Sequence, residues 1–269
     1  MAVVQAADSL VEYFVDGAGP GLVLVHGTGG SADANWGHLV TRLAKHWTVV
    51  RPNYSGSGRT TDAGGPLSVE FLARQILEAA RAVGQVPFDL AGFSLGAAIA
   101  AVVAVIAPES VRSLILIGAF ADASDPYLNL EFSLWRDLIA SDRLALSRLF
   151  LLTGFSYDFI ARLSQQEIET SVSAICEGTN WQGLARQVAL DLTLDIREQA
   201  QAISCPTLVV GGAEDNIVPS RIPKRLAKDI PGAEYVELPT GHLGLLEMPD
   251  EVATLIEDFL MRNAKAKDE

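Results

Sequence analysis

The chain has 269 residues, a hydrophobic content of 49% and a formal net charge of −13 at pH 7. This length suits one large α/β domain. The hydrophobic content excludes a disordered chain, because it supplies ample side chains for a buried core. The acidic balance would repel nucleic-acid phosphates and anionic lipid headgroups, so neither is expected as a partner.

Three further sequence features bear on the cellular environment. The two cysteines, Cys176 and Cys205, are too few for a disulfide framework and are expected to pack as small apolar side chains. The first residues lack the basic segment of a secretory signal. The longest apolar run, Ala97 to Ala107, is far shorter than the roughly 20 residues of a membrane-spanning helix. We therefore expect a soluble, cytoplasmic protein, whose oligomeric state the sequence leaves open.

Short apolar runs alternate with helical patterns along the chain. Continuous apolar runs of this length are typical of strands that are covered on both faces in a parallel sheet. The predicted parallel strands are Leu22–Val25, Trp47–Val50, Phe88–Ala91, Leu114–Ile117, Thr207–Val210 and the more edge-like Glu234–Leu238. Ser9–Val15 is expected to add an antiparallel strand. The predicted intervening helices are Val69–Val83, Leu95–Ile106, Pro219–Ile230 and Glu251–Asn263. The pattern predicts an α/β fold with a mostly parallel central sheet flanked by helices.

One long segment interrupts this alternation. Helical spacing without a clear strand extends over residues 120–196, with a capping box expected at Ser164 and Glu167. The predicted helices are Leu130–Ala140, Arg143–Leu152, Gln165–Ile175 and Gln182–Leu190. We interpret residues 120–196 as a helical cap inserted into a core formed by residues 1–119 and 197–269.

The segment Gly92-Phe93-Ser94-Leu95-Gly96 lies between a predicted strand and a predicted helix. A sharp turn at this point would lift the Ser94 hydroxyl above the sheet, and the two glycines would avoid the clashes that side chains would cause. The sequence therefore predicts that Ser94 is a nucleophile. The alternative is a serine that only caps the N-terminus of the helix.

A nucleophilic serine needs a base and an acid that orients it. Of the four histidines, His242 alone lies between the last predicted strand and the last predicted helix, where a loop can return over the sheet edge. Asp215 follows the strand Thr207–Val210 and would hold the imidazole in the required tautomer. Glu214 and Asp122 remain alternative acids. His38 and His46 are expected to be solvated, and His26 to pack beneath a loop.

The negatively charged intermediate of such a reaction needs hydrogen-bond donors. The backbone N–H of Leu95, which follows the nucleophile, is one candidate. The second should come from the glycine-rich segment His26-Gly27-Thr28-Gly29-Gly30, and we assign it to the N–H of Thr28. A phosphate-binding role for this loop is disfavoured, because it lacks the lysine of a P-loop and the full spacing of a dinucleotide fingerprint.

With these segments in place, the chain resembles the α/β-hydrolase superfamily over roughly residues 9–263. The His-Gly loop at His26, the turn at Ser94, the Gly-x-x-Asp segment at Asp215 and the Gly-His pair at His242 occur in the family's order. The Leu-Glu-Met-Pro-Asp-Glu that follows is similar to the capped branch that contains lactonases, esterases and haloperoxidase-like enzymes. One departure is Asn53, where relatives often carry aspartate in Asp-x-x-Gly-x-Gly.

The resemblance implies a serine hydrolase that cleaves a carboxylic ester or lactone through an acyl-enzyme, with no cofactor or metal. A serine at residue 94 disfavours the dehalogenases and epoxide hydrolases of this fold, which use aspartate there. A type II-like thioesterase, a perhydrolase and a ligand receptor remain alternatives.

The predicted cap contains nine of the 19 aromatic residues. A cap that is rich in aromatic residues and covers the edge of the sheet favours a small, apolar substrate. We also expect at least about half of these rings to pack the cap onto the core instead.

Overall fold

A computed structural model describes residues 1–6 and 8–265. It contains one eight-stranded sheet in the order β1-β2-β4-β3-β5-β6-β7-β8. The strands are β1 Ala2–Ala6, β2 Ser9–Asp16, β3 Gly21–Val25, β4 Thr48–Pro52, β5 Phe88–Phe93, β6 Val111–Ile117, β7 Thr207–Gly212 and β8 Glu234–Leu238. Strands β1 and β2 pair antiparallel, β2 pairs antiparallel with β4, and every other pairing is parallel. The predicted α/β fold is confirmed.

Helices cover both faces of this sheet. They are α1 Ala32–Leu43, α2 Val69–Ala82, α3 Leu95–Ile106, α4 Pro126–Ser141, α5 Arg143–Gly154, α6 Tyr157–Ile160, α7 Gln165–Gly178, α8 Trp181–Asp191, α9 Arg197–Ala202, α10 Arg221–Asp229, α11 Gly244–Glu247 and α12 Pro249–Lys265, with a 3₁₀ turn at Pro108–Ser110. Among the described residues, no helix is long and apolar enough to cross a membrane.

Side-chain alternation on the buried strands divides the core into two layers. Along β3, Leu22 and Leu24 join the layer that contains Trp36 of α1 and Phe259 of α12. Val23 and Val25 face the opposite layer, which contains α2 and α3. Because successive strand residues point to opposite faces, an uninterrupted apolar strand supplies both layers.

Five helices, α4 to α8, lie between β6 and α9, in the segment predicted to form the cap. The two ends of this segment are joined, since Ile196 N–H donates to Ala121 O at 2.7 Å and Ala123 N–H donates to Leu194 O at 2.9 Å. The capping box at Ser164 and Glu167 is confirmed. The division into a cap and a core stays a prediction, and residues 7 and 266–269 of the predicted core lie outside the described residues.

The aromatic residues of this segment mostly pack against one another. Ring contacts connect Phe120, Phe132, Trp135 and Phe150 in one series, with centroids 4.7–5.4 Å apart. A second pair, Phe155 and Phe159, stacks at 4.4 Å. Six of the nine rings therefore contact another ring of this segment, and the packing of the segment onto the core by its aromatic residues stays a prediction.

Candidate active site

Ser94 lies at a sharp turn between β5 and α3. Its φ of 54° and ψ of −122° make it the one non-glycine residue with positive φ within the described residues. A side chain at Gly92 would collide with the carbonyl group of Gly96, so the turn requires glycine there. Ser94 N–H donates to Ile117 O at 2.8 Å, and the Ser94 side chain makes no capping hydrogen bond to α3. The capping role that the sequence left open is therefore not observed.

His242 and Asp215 form a buried pair. His242 Nδ1 and Asp215 Oδ2 are 2.7 Å apart, and the two residues are 6% and 5% exposed. The other carboxylate oxygen, Asp215 Oδ1, accepts the N–H groups of Ile217 at 2.9 Å and Val218 at 2.7 Å. Both oxygens are therefore fixed, and the imidazole faces the one that is not occupied by backbone donors.

The two alternative acids do not take this place. Asp122 Oδ1 accepts hydrogen bonds from Ser124, and Asp122 Oδ2 lies 3.7 Å from Arg225. Glu214 is exposed to solvent. Of the three candidate acids, Asp215 is the one hydrogen-bonded to His242.

Ser94 and His242 both lie near the end of β6. Gly118 follows Ile117, whose carbonyl group accepts the Ser94 N–H. A Cβ atom at Gly118 would lie 2.9 Å from His242 Cε1, and the Phe93 ring centroid is 4.9 Å from that of His242. In the described structure no hydrogen bond joins Ser94 Oγ to His242 Nε2. Hydrogen bonds between a nucleophile and its base are often long without substrate and tighten when substrate binds.

The glycine-rich loop after β3 packs against the turn that carries Ser94. A Cβ atom at Gly27 would lie 3.0 Å from Ser94 Cβ, so the loop approaches the serine closely. Across the part of the chain that the structure describes, the N–H groups of Thr28 and Leu95 donate to no protein acceptor. Two backbone donors without a protein acceptor thus lie in the two segments that meet at Ser94, and an oxyanion hole needs such donors.

Two residues of α8 that the sequence does not predict to be functional hold this loop. Gln187 Oε1 accepts the Gly29 N–H at 2.7 Å, and Asp191 Oδ2 accepts the Thr28 hydroxyl at 2.7 Å. Both side chains are completely buried. They are separated from their partners by 158 and 163 residues, so no local sequence signal could have revealed these contacts.

A third missed residue, Glu131, lies on α4 within electrostatic range of the His242–Asp215 pair. Its Oε1 accepts the indole N–H of Trp135 at 2.9 Å. Burial raises the pKa of the Glu131 carboxyl, with a smaller opposing effect from the Trp135 hydrogen bond. On the same helix, the Tyr127 hydroxyl donates to Asn216 O at 2.5 Å and so ties α4 to the loop that carries Asp215.

The remaining histidines lie where the sequence predicts. His38 and His46 are exposed. His26 is fully buried and stacks on Tyr54, with ring centroids 3.9 Å apart. Burial lowers the pKa of His26 to about 4, so this imidazole is neutral near pH 7.

The departure at Asn53 has a structural reason. Asn53 Nδ2 donates to the buried carboxylate of Glu12 at 2.8 Å, and Asn53 Oδ1 accepts the Ala32 N–H at 2.8 Å. An aspartate here would place a second carboxylate against Glu12, which is unfavourable for two like charges. The residue shapes the loop and makes no contact with Ser94 or His242 in the described structure.

Comparison with known proteins agrees with this fold. The family model for the alpha/beta hydrolase fold matches residues 20–249. Pyrrolizixenacetamide deacetylase from Xenorhabdus hominickii is 50% identical over 261 residues, which cover 97% of this chain and 98% of that protein.

Two solved structures are also similar. A hydrolase from Pseudomonas aeruginosa PA01 has a TM-score of 0.85 at 26% identity and covers 96% of this chain and 97% of its own. The enol-lactonase from Burkholderia xenovorans LB400 has a TM-score of 0.84 at 23% identity, and the match covers 97% of this chain and 100% of that one. This second likeness supports the fold alone. The chain therefore belongs to the α/β-hydrolase fold family and is a hydrolase.

Proposed function

We propose that the protein is a serine-dependent acyl hydrolase, with Ser94 as nucleophile, His242 as base and Asp215 as the acid that orients His242. The observation that carries this proposal is the buried 2.7 Å contact between His242 Nδ1 and Asp215 Oδ2, next to the turn that presents Ser94. The contact fixes the Nδ1–H tautomer and leaves Nε2 as the proton acceptor.

The reaction that follows from this arrangement has two halves. Ser94 Oγ attacks the substrate carbonyl carbon as its proton passes to His242 Nε2, and the oxyanion accepts the N–H groups of Thr28 and Leu95. When the intermediate collapses, His242 Nε2–H protonates the leaving group and an acyl-enzyme remains. Water, deprotonated by His242, then attacks the acyl carbon and releases the acid together with free Ser94.

The proposed substrate class depends on the leaving group that the site can release and on the name of the 50% identical relative. The resemblance in the sequence implies an ester or lactone, whereas the 50% identical relative is named pyrrolizixenacetamide deacetylase. The same machinery serves both bonds, but an amide requires that His242 protonate the departing nitrogen, since an amine anion is a poor leaving group. We therefore propose a small neutral acetamide as the preferred substrate, with the corresponding ester also cleaved.

A matched substrate pair tests this proposal. Acetate release is measured from 4-nitroacetanilide and 4-nitrophenyl acetate with the wild type, Ser94→Ala and a control, Ser141→Ala. Ser141 lies exposed at the end of α4, so its loss should leave both activities unchanged. Ser94→Ala should lower kcat on the order of 10⁴- to 10⁶-fold for both substrates.

The possible outcomes are distinguishable. Full activity in Ser94→Ala would overturn the serine mechanism. Rapid, Ser94-dependent cleavage of the ester without any cleavage of an acetamide would refute the amide assignment and favour the ester hydrolase. A faster reaction with the matching thioester would favour a thioesterase, and no turnover of any substrate would favour a ligand receptor.

A further inference from the structure

Asp191 is a buried carboxyl group directly behind the loop that supplies the Thr28 N–H. It ends α8 and is 0% exposed. Its Oδ2 accepts the Thr28 hydroxyl at 2.7 Å, while its Oδ1 has no hydrogen-bond partner among the described residues. A buried carboxylate is normally paired with a cation or with several donors, and Asp191 has a single hydroxyl.

The surroundings of Asp191 oppose a negative charge. The titratable group that interacts with it is the Tyr54 hydroxyl, which is buried and unpaired in the described structure. His26 stacks on the other side chain of this pair, Tyr54. His26 is neutral near pH 7, and Arg186, on the same helix, pairs with Asp62 at 3.0 Å. Asp191 also lies at the negative end of the α8 dipole. Burial accordingly raises the pKa of Asp191 to about 8, which the Thr28 hydrogen bond opposes.

We propose that Asp191 is a positioning residue that holds Thr28 for oxyanion binding as an uncharged acid, and that its ionisation inhibits the enzyme. This inference rests on the proposed function, since it requires the Thr28 N–H to bind an oxyanion. Three contacts fix the loop, namely Asp191 to Thr28, Gln187 to Gly29 and Asn35 to the Gly27 N–H at 2.9 Å. The Asp191 contact is the one that engages the donor residue itself.

The inhibition follows from electrostatics. An ionised Asp191 would place a negative charge close to the developing oxyanion, because Thr28 alone lies between them: its hydroxyl contacts Asp191 and its N–H binds the oxyanion. Two like charges at such a separation in a protein interior repel enough to slow the reaction on the order of 10- to 100-fold. Neutral Asp191 avoids this repulsion while its oxygen still accepts the Thr28 hydroxyl.

The pH dependence of kcat separates this role from a merely structural one. An acetamide substrate is preferable, because it is stable in alkaline buffer. In the wild type, kcat should fall on the order of 10- to 100-fold above about pH 8. Asp191→Asn keeps an acceptor oxygen for Thr28 but cannot ionise, so it should retain near-wild-type kcat at pH 7 and lose the alkaline decline.

Two further variants keep the test decisive. Asp191→Ala removes the acceptor and should lower kcat at every pH with little change in KM, even if its stability falls. Asp195→Asn is the matched control, because Asp195 is an exposed carboxylate that pairs with Arg197 and should retain the wild-type profile.

The inference is overturned if the wild type shows no alkaline decline, or if Asp191→Asn shows the same decline as the wild type. Failure of the proposed function would instead appear as Ser94-independent turnover. If the reaction depends on Ser94 and the pH profile of kcat is the same in Asp191→Asn as in the wild type, only the proposed role of Asp191 is contradicted.

Discussion

Replacing Asp215 by asparagine should nearly abolish turnover while preserving the fold. Asp215 Oδ1 accepts two backbone N–H groups, from Ile217 and Val218, so the amide NH₂ of asparagine cannot occupy that position. The amide oxygen remains there, and the NH₂ group faces His242 Nδ1 in place of the carboxylate oxygen that is 2.7 Å away in the wild type.

The consequence is a change of tautomer. Nδ1 must then accept a hydrogen bond, the imidazole proton moves to Nε2, and His242 can no longer take the proton of Ser94. We expect kcat to fall by about 10⁴-fold, which corresponds to about 5 kcal/mol of transition-state stabilisation, with a small change in KM.

Steady-state kinetics with an acetate ester and an acetamide measure this effect. Asp122→Asn is the control, because Asp122 bonds to Ser124 and follows β6, where some members of this fold carry the acid. Circular dichroism of each variant should match that of the wild type, so that a loss of kcat is not caused by unfolding. The reasoning is refuted if Asp122→Asn loses more kcat than Asp215→Asn, or if Asp215→Asn loses less than about tenfold.

Three further predictions concern the surroundings of the site. Because the folded-state pKa of Asp191 is about 8 against an ordinary 3.8, wild-type stability should fall as pH rises between these values. The free energy of unfolding of Asp191→Asn, measured relative to the wild type in urea titrations, should therefore increase by on the order of 1 kcal/mol per pH unit between pH 5 and 8. The same difference between variant and wild type at pH 5 and at pH 8 would contradict this. Gly118→Ala should lower kcat, because the new Cβ would press on His242 Cε1. Gly232 has a similar positive φ and open space around it, so Gly232→Ala should lower stability without lowering kcat. Equal effects of the two substitutions on kcat would contradict this prediction. Carboxylate-bearing substrates should react more slowly than neutral ones of the same length, and Glu131→Gln should narrow that difference; an unchanged ratio would exclude Glu131 from substrate selection.

The sequence predicted the parts of the site that depend on local patterns. Ser94 and Asp215 each follow a strand with a recognisable apolar run, and His242 follows the more edge-like strand Glu234–Leu238. A parallel sheet brings the carboxyl ends of its strands to one edge. Strand β8 was predicted with its observed bounds, Glu234–Leu238. Strand β1, Ala2–Ala6, was missed because it is a short edge strand with alternating burial, next to β2 alone.

The sequence could not reveal the contacts between α8 and the loop after β3. Asp191 and Gln187 occur in a helical pattern in which polar residues usually face solvent. Their burial arises only when α8 packs over the Thr28 loop, more than 150 residues away along the chain. The same holds for Glu12 and Asn53, whose pairing across 41 residues accounts for the departure from the family pattern.

The role of Ser94 as nucleophile is tested most directly by the site of covalent modification by a fluorophosphonate, mapped by peptide mass spectrometry. We predict one adduct, on Ser94, that is absent in Ser94→Ala and forms much more slowly in His242→Gln. An adduct on another serine, or labelling of Ser94→Ala at the wild-type rate, would contradict it.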